Sequence, residues 1–194
     1  MSTNKTTPAV TVRDARPADA MAIASIGAAT FELSFGHSMP ADHLQDYLTT
    51  AYSPATIANE LSDTAMRFFV AELPSDDPTQ PIPVGFCQIR NGATEPCLPA
   101  DVPKIEIYRL YVSKDHLGAG VGNVLMAHGL RWAENEVVKE KTSTQSKAII
   151  WLGVWDENIK AQRFYARFGF EKVGDHDFVI GDTTQSDYIL SKWV

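Results

Sequence analysis

The sequence predicts an α/β fold, and three observations predict it. Residues 105–112 (IEIYRLYV) are rich in Ile, Leu, Val and Tyr, which indicates a largely buried strand. A glycine-rich turn over residues 118–122 follows, and five side chains from its end onward share one stripe of an amphipathic helix: Val121, Val124, Leu125, His128 and Trp132. A second buried run, residues 148–154 (AIIWLGV), precedes a further helical stretch. Two units of strand followed by helix indicate a sheet with helices packed on it.

The N-terminal part of the chain predicts one strand and three helices. Residues 1–9 are polar and predict a flexible tail, so the folded part begins at residue 10. Helical spacing of Ile23, Ile26 and Phe31 supports the first helix, and a proline near the start supports each of the other two. The predicted elements are a strand at 10–13 and helices at 21–35, 40–48 and 54–61.

Beyond residue 61 the chain alternates between apolar runs and polar connections. Residues 74–83 contain Ser, Asp and several prolines and predict a surface loop, and residues 139–147 predict a polar, lysine-rich connection. Gly169 ends the last helix, and Gly181-Asp182 is the centre of a closing hairpin. The predicted strands are 67–73, 84–90, 105–112, 148–154, 170–180 and 186–194. One predicted helix begins near residue 121, and another covers residues 158–168. Because neither a repeat nor a linker interrupts this series, residues 10–194 predict a single domain.

Composition and charge exclude several classes of protein. The chain has 194 residues, enough for one domain with a sizeable core, and a net charge of −7 from 24 acidic and 17 basic residues. An acidic balance argues against nucleic acid as a partner and permits a cationic substrate. Cys87 and Cys97 form no metal or redox spacing. We find neither an apolar run of about 20 residues nor the apolar core of a signal peptide, so we expect a cytoplasmic protein without a membrane partner.

The glycine-rich turn between strand and helix is typical of a phosphate-binding loop. Its glycines let a ligand approach the backbone, and the N–H groups at the helix start point toward the ligand. A P-loop would need Lys and Ser or Thr after the last glycine, but Asn123 and Val124 follow Gly122. A dinucleotide fingerprint needs G-x-G-x-x-G, whereas Gly118, Gly120 and Gly122 give G-x-G-x-G. From the loop alone, an ordinary glycine-rich connection remains an alternative.

Two motifs resemble the Gcn5-related N-acetyltransferases (GNAT). The loop is similar to the Gln/Arg-Gly-x-Gly-x-Gly/Ala motif that holds the pyrophosphate of coenzyme A, although Leu117 stands where that family has Gln or Arg. The spacing Asn158-x-x-Ala-x-x-Phe-Tyr165-x-x-x-Gly-Phe resembles the second signature region of the family. The resemblance implies a mixed, mostly antiparallel sheet with a splayed parallel strand pair and helices on both faces. It also implies acetyl-CoA as co-substrate and no metal.

A narrower resemblance is to the PaiA-type spermidine/spermine acetyltransferases. It covers residues 151–170, residues 174–192 and the helical stretch from 31 to 61. Tyr108 departs from the acidic residue expected in that branch, and the loop at 74–83 is longer. This resemblance implies transfer of an acetyl group to a primary amine, a polyamine first of all, in a ternary complex. The alternatives are a protein N-terminus or lysine, an amine-bearing xenobiotic, or acyl-CoA binding without turnover, and a homodimer is left open.

The resemblance also assigns roles to individual residues. The predicted cofactor-binding residues are Leu110, Tyr111, Val112, Leu117, Gly118, Ala119, Gly120, Val121, Gly122, Asn158 and Tyr165. Among them, a backbone N–H between Leu110 and Val112 would polarise the thioester carbonyl. Asn158 would hydrogen-bond the cofactor arm or the central strand, and Tyr165 would protonate the departing thiolate, since a phenol can donate a proton to a thiolate.

The general base and the acceptor site follow less directly. Glu106 corresponds to a glutamate that serves as base in some relatives, and a buried carboxylate with a raised pKa could accept a proton through water. Alternatively Glu106 pairs with Arg109 or Lys104, or binds substrate without moving protons. His116 and His176 are other candidates, the first expected to cap the loop and the second to sit in the hairpin. The predicted acceptor-binding residues are Phe31, Glu32, Phe35 and Tyr108.

Overall fold

A seven-stranded sheet with helices on both faces forms the centre of the protein. The computed structural model describes the backbone of residues 10–140 and 147–194, and the side chains of residues 10–136 and 147–194. The strands are β1 (Thr11–Asp14), β2 (Met66–Leu73), β3 (Ile82–Asn91), β4 (Lys104–Val112), β5 (Ile149–Trp155), β6 (Glu171–Ile180) and β7 (Thr183–Trp193). The helices are α1 (Ala20–Phe35), α2 (Ala41–Ala51), α3 (Pro54–Ser62), α4 (Val121–Glu140) and α5 (Ile159–Ala166).

The sheet is mixed and mostly antiparallel. Its strand order is β1-β2-β3-β4-β5-β7-β6, and every neighbouring pair is antiparallel except β4 and β5. The parallel pair is short, because Lys104 to Glu106 pair with Ile149 to Trp151 and the strands then separate. The fold class predicted from the resemblance, including the splayed parallel pair, is therefore confirmed.

Strand alternation distributes the apolar side chains between two cores. On β2, Phe69 and Ala71 face α4 and α5, whereas Phe68 and Val70 face α1 and α3. Leu125 of α4 is fully buried in the first core, and Ile57 of α3 is fully buried in the second. Because α4 with α5 and α1 with α3 cover opposite faces, a gap in the sheet opens toward both sets of helices.

Several element boundaries differ from the predicted ones. β3 begins at Ile82, inside the predicted loop, and α4 continues to Glu140, into the predicted connection. β7 begins at Thr183 rather than at residue 186, because pairing with β6 continues to Ile180 and Thr183 and leaves a two-residue turn. The predicted tail, residues 1–9, and most of the connection at 139–147 lie outside the described residues. No helix within 10–140 or 147–194 is long and apolar enough to cross a membrane.

Candidate active site

The separation of β4 from β5 opens a cavity of about 390 Å³. β4 contributes residues from Glu106 to Tyr111, and β5 contributes residues from Gly153 to Trp155. On one face of the sheet α5 lines the cavity, through Asn158, Ala161 and Tyr165, and on the other α1 lines it, through Thr30, Phe31, Ser34 and Phe35. The cavity therefore extends through the sheet, and ligands can meet in it from opposite faces.

The glycine-rich loop is an exposed backbone surface at the start of α4. Gly118 and Gly120 have φ of +79° and +86°, and a Cβ added to either would meet no atom within 4 Å. Positive φ favours glycine, and the open space lets a ligand reach the backbone. The first N–H groups of α4 have no partner within the helix and carry its positive dipole end. The loop is the predicted binding site for the cofactor pyrophosphate. Its open shape and its backbone donors suit such a group.

The side chains around this loop divide into anchors and exposed positions. Val121 is buried in the core beside Leu125 and holds the loop on the sheet. Gly122, in the first turn of α4, lies so close to Phe164 that an added Cβ would be 3.6 Å from that ring. Ala119 is exposed, and Leu117 is 60% exposed. Leu117, at the position where the similar motif has Gln or Arg, therefore lies at the surface. The groups that the loop offers to a ligand are backbone groups.

The free edge of β4 presents two backbone amides to the gap. The N–H of Ser113 bonds to the carbonyl of Val84 on β3. Because hydrogen bonds in an antiparallel ladder alternate between the two sides of a strand, Val112 and Leu110 direct their N–H groups away from β3, toward the gap. Tyr111, by the same alternation, turns its N–H to β3 and contributes only its side chain to the cavity. Leu110 and Val112 thus fit the predicted carbonyl-polarising role better than Tyr111 does.

Asn158 and Tyr165 come from the two ends of α5. The Asn158 side chain accepts a hydrogen bond from the N–H of Ala161, and so caps the helix. Asn158 also lines the cavity. Tyr165 packs beside Phe164 and Phe170, and its burial raises the pKa of the phenol well above the usual value. The phenol therefore keeps its proton at neutral pH and holds it where a departing thiolate could receive it.

Aromatic rings line the opposite end of the cavity. Phe31, which is 3% exposed, has ring centroids of Phe35 and Tyr47 at 4.6 and 4.5 Å, and Phe35 lies 5.5 Å from Trp155. Both phenylalanines line the cavity, as expected for acceptor-binding residues. Such rings attract a cation through their negative faces.

Glu32 does not reach this cavity, contrary to the expectation that it binds the acceptor. The side chains of Phe31 and Phe35 lie four residues apart on the inner face of α1. Glu32 follows on the outer face, where it and its neighbour Leu33 are exposed. The 3.6-residue repeat of α1 puts Glu32 on a different face from Phe31 and Phe35, and the sequence alone was enough to predict this.

Glu106 lies in the cavity wall and forms a salt bridge with an arginine. Its carboxylate accepts a hydrogen bond of 2.6 Å from Nε of Arg90 on β3, and burial raises its pKa although Arg90 opposes the shift. The partners considered from the sequence are engaged elsewhere. Arg109 donates to Glu60, and Lys104 donates to backbone carbonyls.

Tyr108 faces the same wall, between two guanidinium groups. The Cζ atoms of Arg90 and Arg109 lie 3.8 and 4.6 Å from its ring centroid. The ring thus lines the cavity as predicted and also fixes the two arginines by cation–π contact.

Glu95, Gly153 and Asp187 are among the wall residues that the sequence analysis missed. It named His176 as an alternative candidate for the general base but expected it to sit in the hairpin, and the structure shows that this residue lines the cavity. Burial raises the pKa of Asp187 to about 6. An isolated glycine inside a strongly apolar strand is a signal of close approach that could have identified Gly153. Within residues 10–136 and 147–194, no group of three or more His, Cys, Asp or Glu side chains could hold a metal ion.

The tip of the β6–β7 hairpin covers the aromatic end of the cavity. Gln185 donates a hydrogen bond of 2.6 Å to the hydroxyl of Ser38, which follows α1. Phe178 meets Tyr47 of α2 edge-on, with ring centroids 6.0 Å apart. The hairpin and the helices after β1 therefore touch each other over the cavity and narrow its opening on that side.

Comparison with known proteins gives one family. A sequence profile of the acetyltransferase (GNAT) family matches residues 31–170. An uncharacterised N-acetyltransferase from the pepI 3′ region of Lactobacillus delbrueckii subsp. lactis is 38% identical over 88 residues, which cover 45% of this chain and 46% of that protein. An uncharacterised N-acetyltransferase of Mycobacterium bovis is 26% identical over 172 residues, covering 89% and 96%. The crystal structure of the PaiA N-acetyltransferase of Thermoplasma acidophilum in complex with coenzyme A matches with a TM-score of 0.65 at 20% identity, covering 95% and 98%.

Proposed function

The chain belongs to the acetyltransferase (GNAT) family, and we propose that it transfers the acetyl group of acetyl-CoA to a primary amine of a small, flexible cation. A polyamine such as spermidine or spermine is the acceptor we place first. The observation that carries this proposal is the composition of the acceptor end, where aromatic rings and partly buried carboxylates line one cavity.

The charge balance of the cavity supports a cationic acceptor. Arg109 is neutralised by Glu60, with 2.7 Å between Nη1 and Oε2, and Arg90 is neutralised by Glu106. Of the carboxylates that line the cavity, Glu95 and Asp187 are then left to balance the charge of a cation, and His176 lies between them. Their carboxylates can hold an ammonium group, while the rings of the opposite wall favour its charge or its methylene chain.

The reaction we propose is direct transfer with both substrates bound. The loop at 118–122 holds the pyrophosphate, and the amides of Leu110 and Val112 polarise the thioester carbonyl. The neutral amine attacks the carbonyl carbon, the carbon–sulfur bond breaks, and Tyr165 supplies a proton to the thiolate. Fixing two substrates on opposite faces of the gap lowers the barrier through proximity.

Two observations bear on the choice among acceptors. The resemblance of residues 151–170 and 174–192 to the PaiA branch supports a polyamine. The contacts of Gln185 with Ser38 and of Phe178 with Tyr47 cover the side on which an extended peptide would need a groove, and they support a small acceptor over a protein N-terminus.

The test is a free-thiol release assay with acetyl-CoA and three acceptors: spermidine, an aryl-alkyl monoamine, and a peptide with a free N-terminus. We expect the largest kcat/KM for spermidine, and we expect added salt to raise its KM more than that of the monoamine, because more charge pairs are screened. If the monoamine or the peptide wins by about tenfold, the polyamine assignment is wrong. If acetyl-CoA binds in calorimetry but no amine releases thiol, the protein is a binding module.

A further inference from the structure

His176 occupies a place in the cavity wall that the reaction described above does not use. It lies on β6 directly opposite Asp187 of β7, and Asp187 is in turn opposite Trp155 of β5. This register puts the three side chains in one row across the sheet, on the face that contains the aromatic wall. The imidazole remains 31% exposed, so a ligand in the cavity can reach it.

Two carboxylates fix the imidazole and leave one of its nitrogens facing the cavity. Nδ1 lies 3.0 Å from Oε1 of Glu95, which comes from the segment between β3 and β4. A carboxylate accepts hydrogen bonds, so Nδ1 is the donor in this contact, and in the corresponding tautomer Nε2 carries the lone pair. Nε2 is 4.0 Å from Oδ2 of Asp187, a separation that leaves room for a ligand group beside both.

A glycine opens the way from the cavity to this nitrogen. Gly153 lines the cavity, and a Cβ at this position would lie 3.8 Å from Nε2 of His176 and 3.5 Å from Oδ2 of Asp187. A side chain here would therefore stand between the cavity and both groups. The glycine lies in the part of β5 that has separated from β4, where both substrates would meet.

Glu106, the base suggested by the resemblance, is less free to act. Its carboxylate is held by Arg90 at 2.6 Å and is 7% exposed, whereas the His176 side chain is 31% exposed and lies between two carboxylates. The charged groups that face the imidazole are Glu95, Asp187 on β7, and Glu106 of β4 with its Arg90. Asp156, which follows β5, affects this group of charges indirectly, because its negative charge raises the pKa of Asp187.

We propose that His176 is the group that takes the proton from the acceptor ammonium, with Glu95 orienting its ring and Asp187 stabilising the positive charge. The inference rests on the proposed acetyltransferase function. One proton moves from the ammonium to Nε2 and leaves a neutral amine and an imidazolium. The amine forms its bond to the carbonyl carbon, the carbon–sulfur bond breaks, and Tyr165 protonates the departing thiolate. The second proton of the nitrogen then restores the Tyr165 phenol, so that the products are a neutral amide and a neutral thiol. The imidazolium then returns its proton to solvent.

The experiment compares wild type with His176→Asn across pH and across amines of different basicity. With spermidine at pH 7 we expect kcat/KM to fall roughly 10²-fold, the scale of a lost proton acceptor, while acetyl-CoA affinity stays within about twofold. The loss should shrink as pH rises toward the pKa of the ammonium, and it should be smaller for an electron-poor amine that is already neutral. Glu106→Gln should not reproduce this dependence on amine basicity.

Two further variants keep the test decisive if His176→Asn folds poorly. Gly153→Ala adds a methyl group at ordinary contact distances and should raise the KM for the amine about tenfold or more without changing acetyl-CoA affinity. Asp177→Asn, on the exposed face of the same strand, is the matched control and should behave as wild type.

Three results overturn the inference. One is a loss in His176→Asn that is equal at every pH and for every amine, which would indicate packing. Another is a loss that follows amine basicity in Glu106→Gln instead. The third is a Gly153→Ala variant with unchanged kinetics. In each of these cases wild type still turns over, so only the role of His176 fails, whereas a wild type that acetylates no amine overturns both proposals.

Discussion

The two ends of the cavity are built in different ways. The proposed cofactor end is made of two short stretches, 118–122 and 158–165, and the donors proposed for it are largely backbone groups fixed by glycines and a helix start. The acceptor end is made of side chains from α1, β4, β6, β7 and the segment between β3 and β4, and no two of its charged groups are sequence neighbours. A local motif thus encodes the cofactor end, whereas tertiary packing assembles the acceptor end.

This comparison predicts that backbone disturbance dominates at the cofactor end. Gly120→Glu places a side chain and a negative charge at a positive-φ position where the diphosphate approaches. We expect acetyl-CoA affinity to fall below detection in isothermal calorimetry. Gly92→Glu is the control, because Gly92 also has positive φ with nothing within 4 Å of an added Cβ, but lies away from the loop. Equal acetyl-CoA affinity in folded Gly120→Glu would remove the loop from the cofactor site.

Tyr165 is the place where a side chain, rather than the backbone, should matter at the cofactor end. Tyr165→Phe keeps the ring beside Phe164 and Phe170 and removes the proton. Turnover should fall by roughly 10²–10⁴, with acetyl-CoA affinity nearly unchanged. Tyr188→Phe, outside the cavity lining, is the control, and steady-state kinetics of both variants provide the measurement. If Tyr165→Phe loses only thermal stability, Tyr165 is a packing residue.

The same difference explains what the sequence could and could not predict. The strand–turn–helix from residue 105 and the Asn158 to Phe170 spacing lie within single stretches, so both the fold and the position of the loop follow from local pattern. Glu95 lies in an irregular segment, and only the fold brings it to His176, 81 residues away. Asp187 lies inside the predicted strand 186–194, but only the pairing of β7 with β5 and β6 brings its side chain beside Trp155 and His176. Glu32 was assigned to the acceptor site because of its charge, although the helical repeat places it on the outer face of α1.

A third prediction concerns the acceptor end, where function and stability should oppose each other. Asp187 has its pKa raised from 3.8 to about 6 in the folded protein, mainly by burial. The folded state therefore binds this proton more tightly than the unfolded state, so stability falls as pH rises from about 4 to about 6 and stays lower above it. Asp187→Asn removes this cost and should raise the free energy of unfolding at pH 7 by up to about 3 kcal/mol, a difference that disappears below pH 4.

The same variant should bind the acceptor less well. Loss of a carboxylate that holds an ammonium should raise the KM for spermidine about tenfold, the scale of one hydrogen bond to a charged group. Urea unfolding at pH 4 and pH 7, together with kinetics, measures both effects. Asp175→Asn is the control, because that side chain on β6 is 63% exposed. If Asp187→Asn is less stable at pH 7 and binds spermidine normally, the carboxylate has a structural role only.

The smallest effect should come from the side chain that departs from the family motif. Leu117 is 60% exposed beside a loop whose donors are backbone groups, so Leu117→Arg adds a charge near the diphosphate without changing the cradle. An exposed ion pair with the diphosphate contributes at most about 1 kcal/mol, and acetyl-CoA affinity should therefore rise by no more than about fivefold. The gain should disappear at high salt, because an exposed pair is screened. Val179→Arg, also at a 60% exposed site but on β6, should leave calorimetric affinity unchanged. A gain of a hundredfold would show that side chains, and not the backbone, dominate binding at the cofactor end.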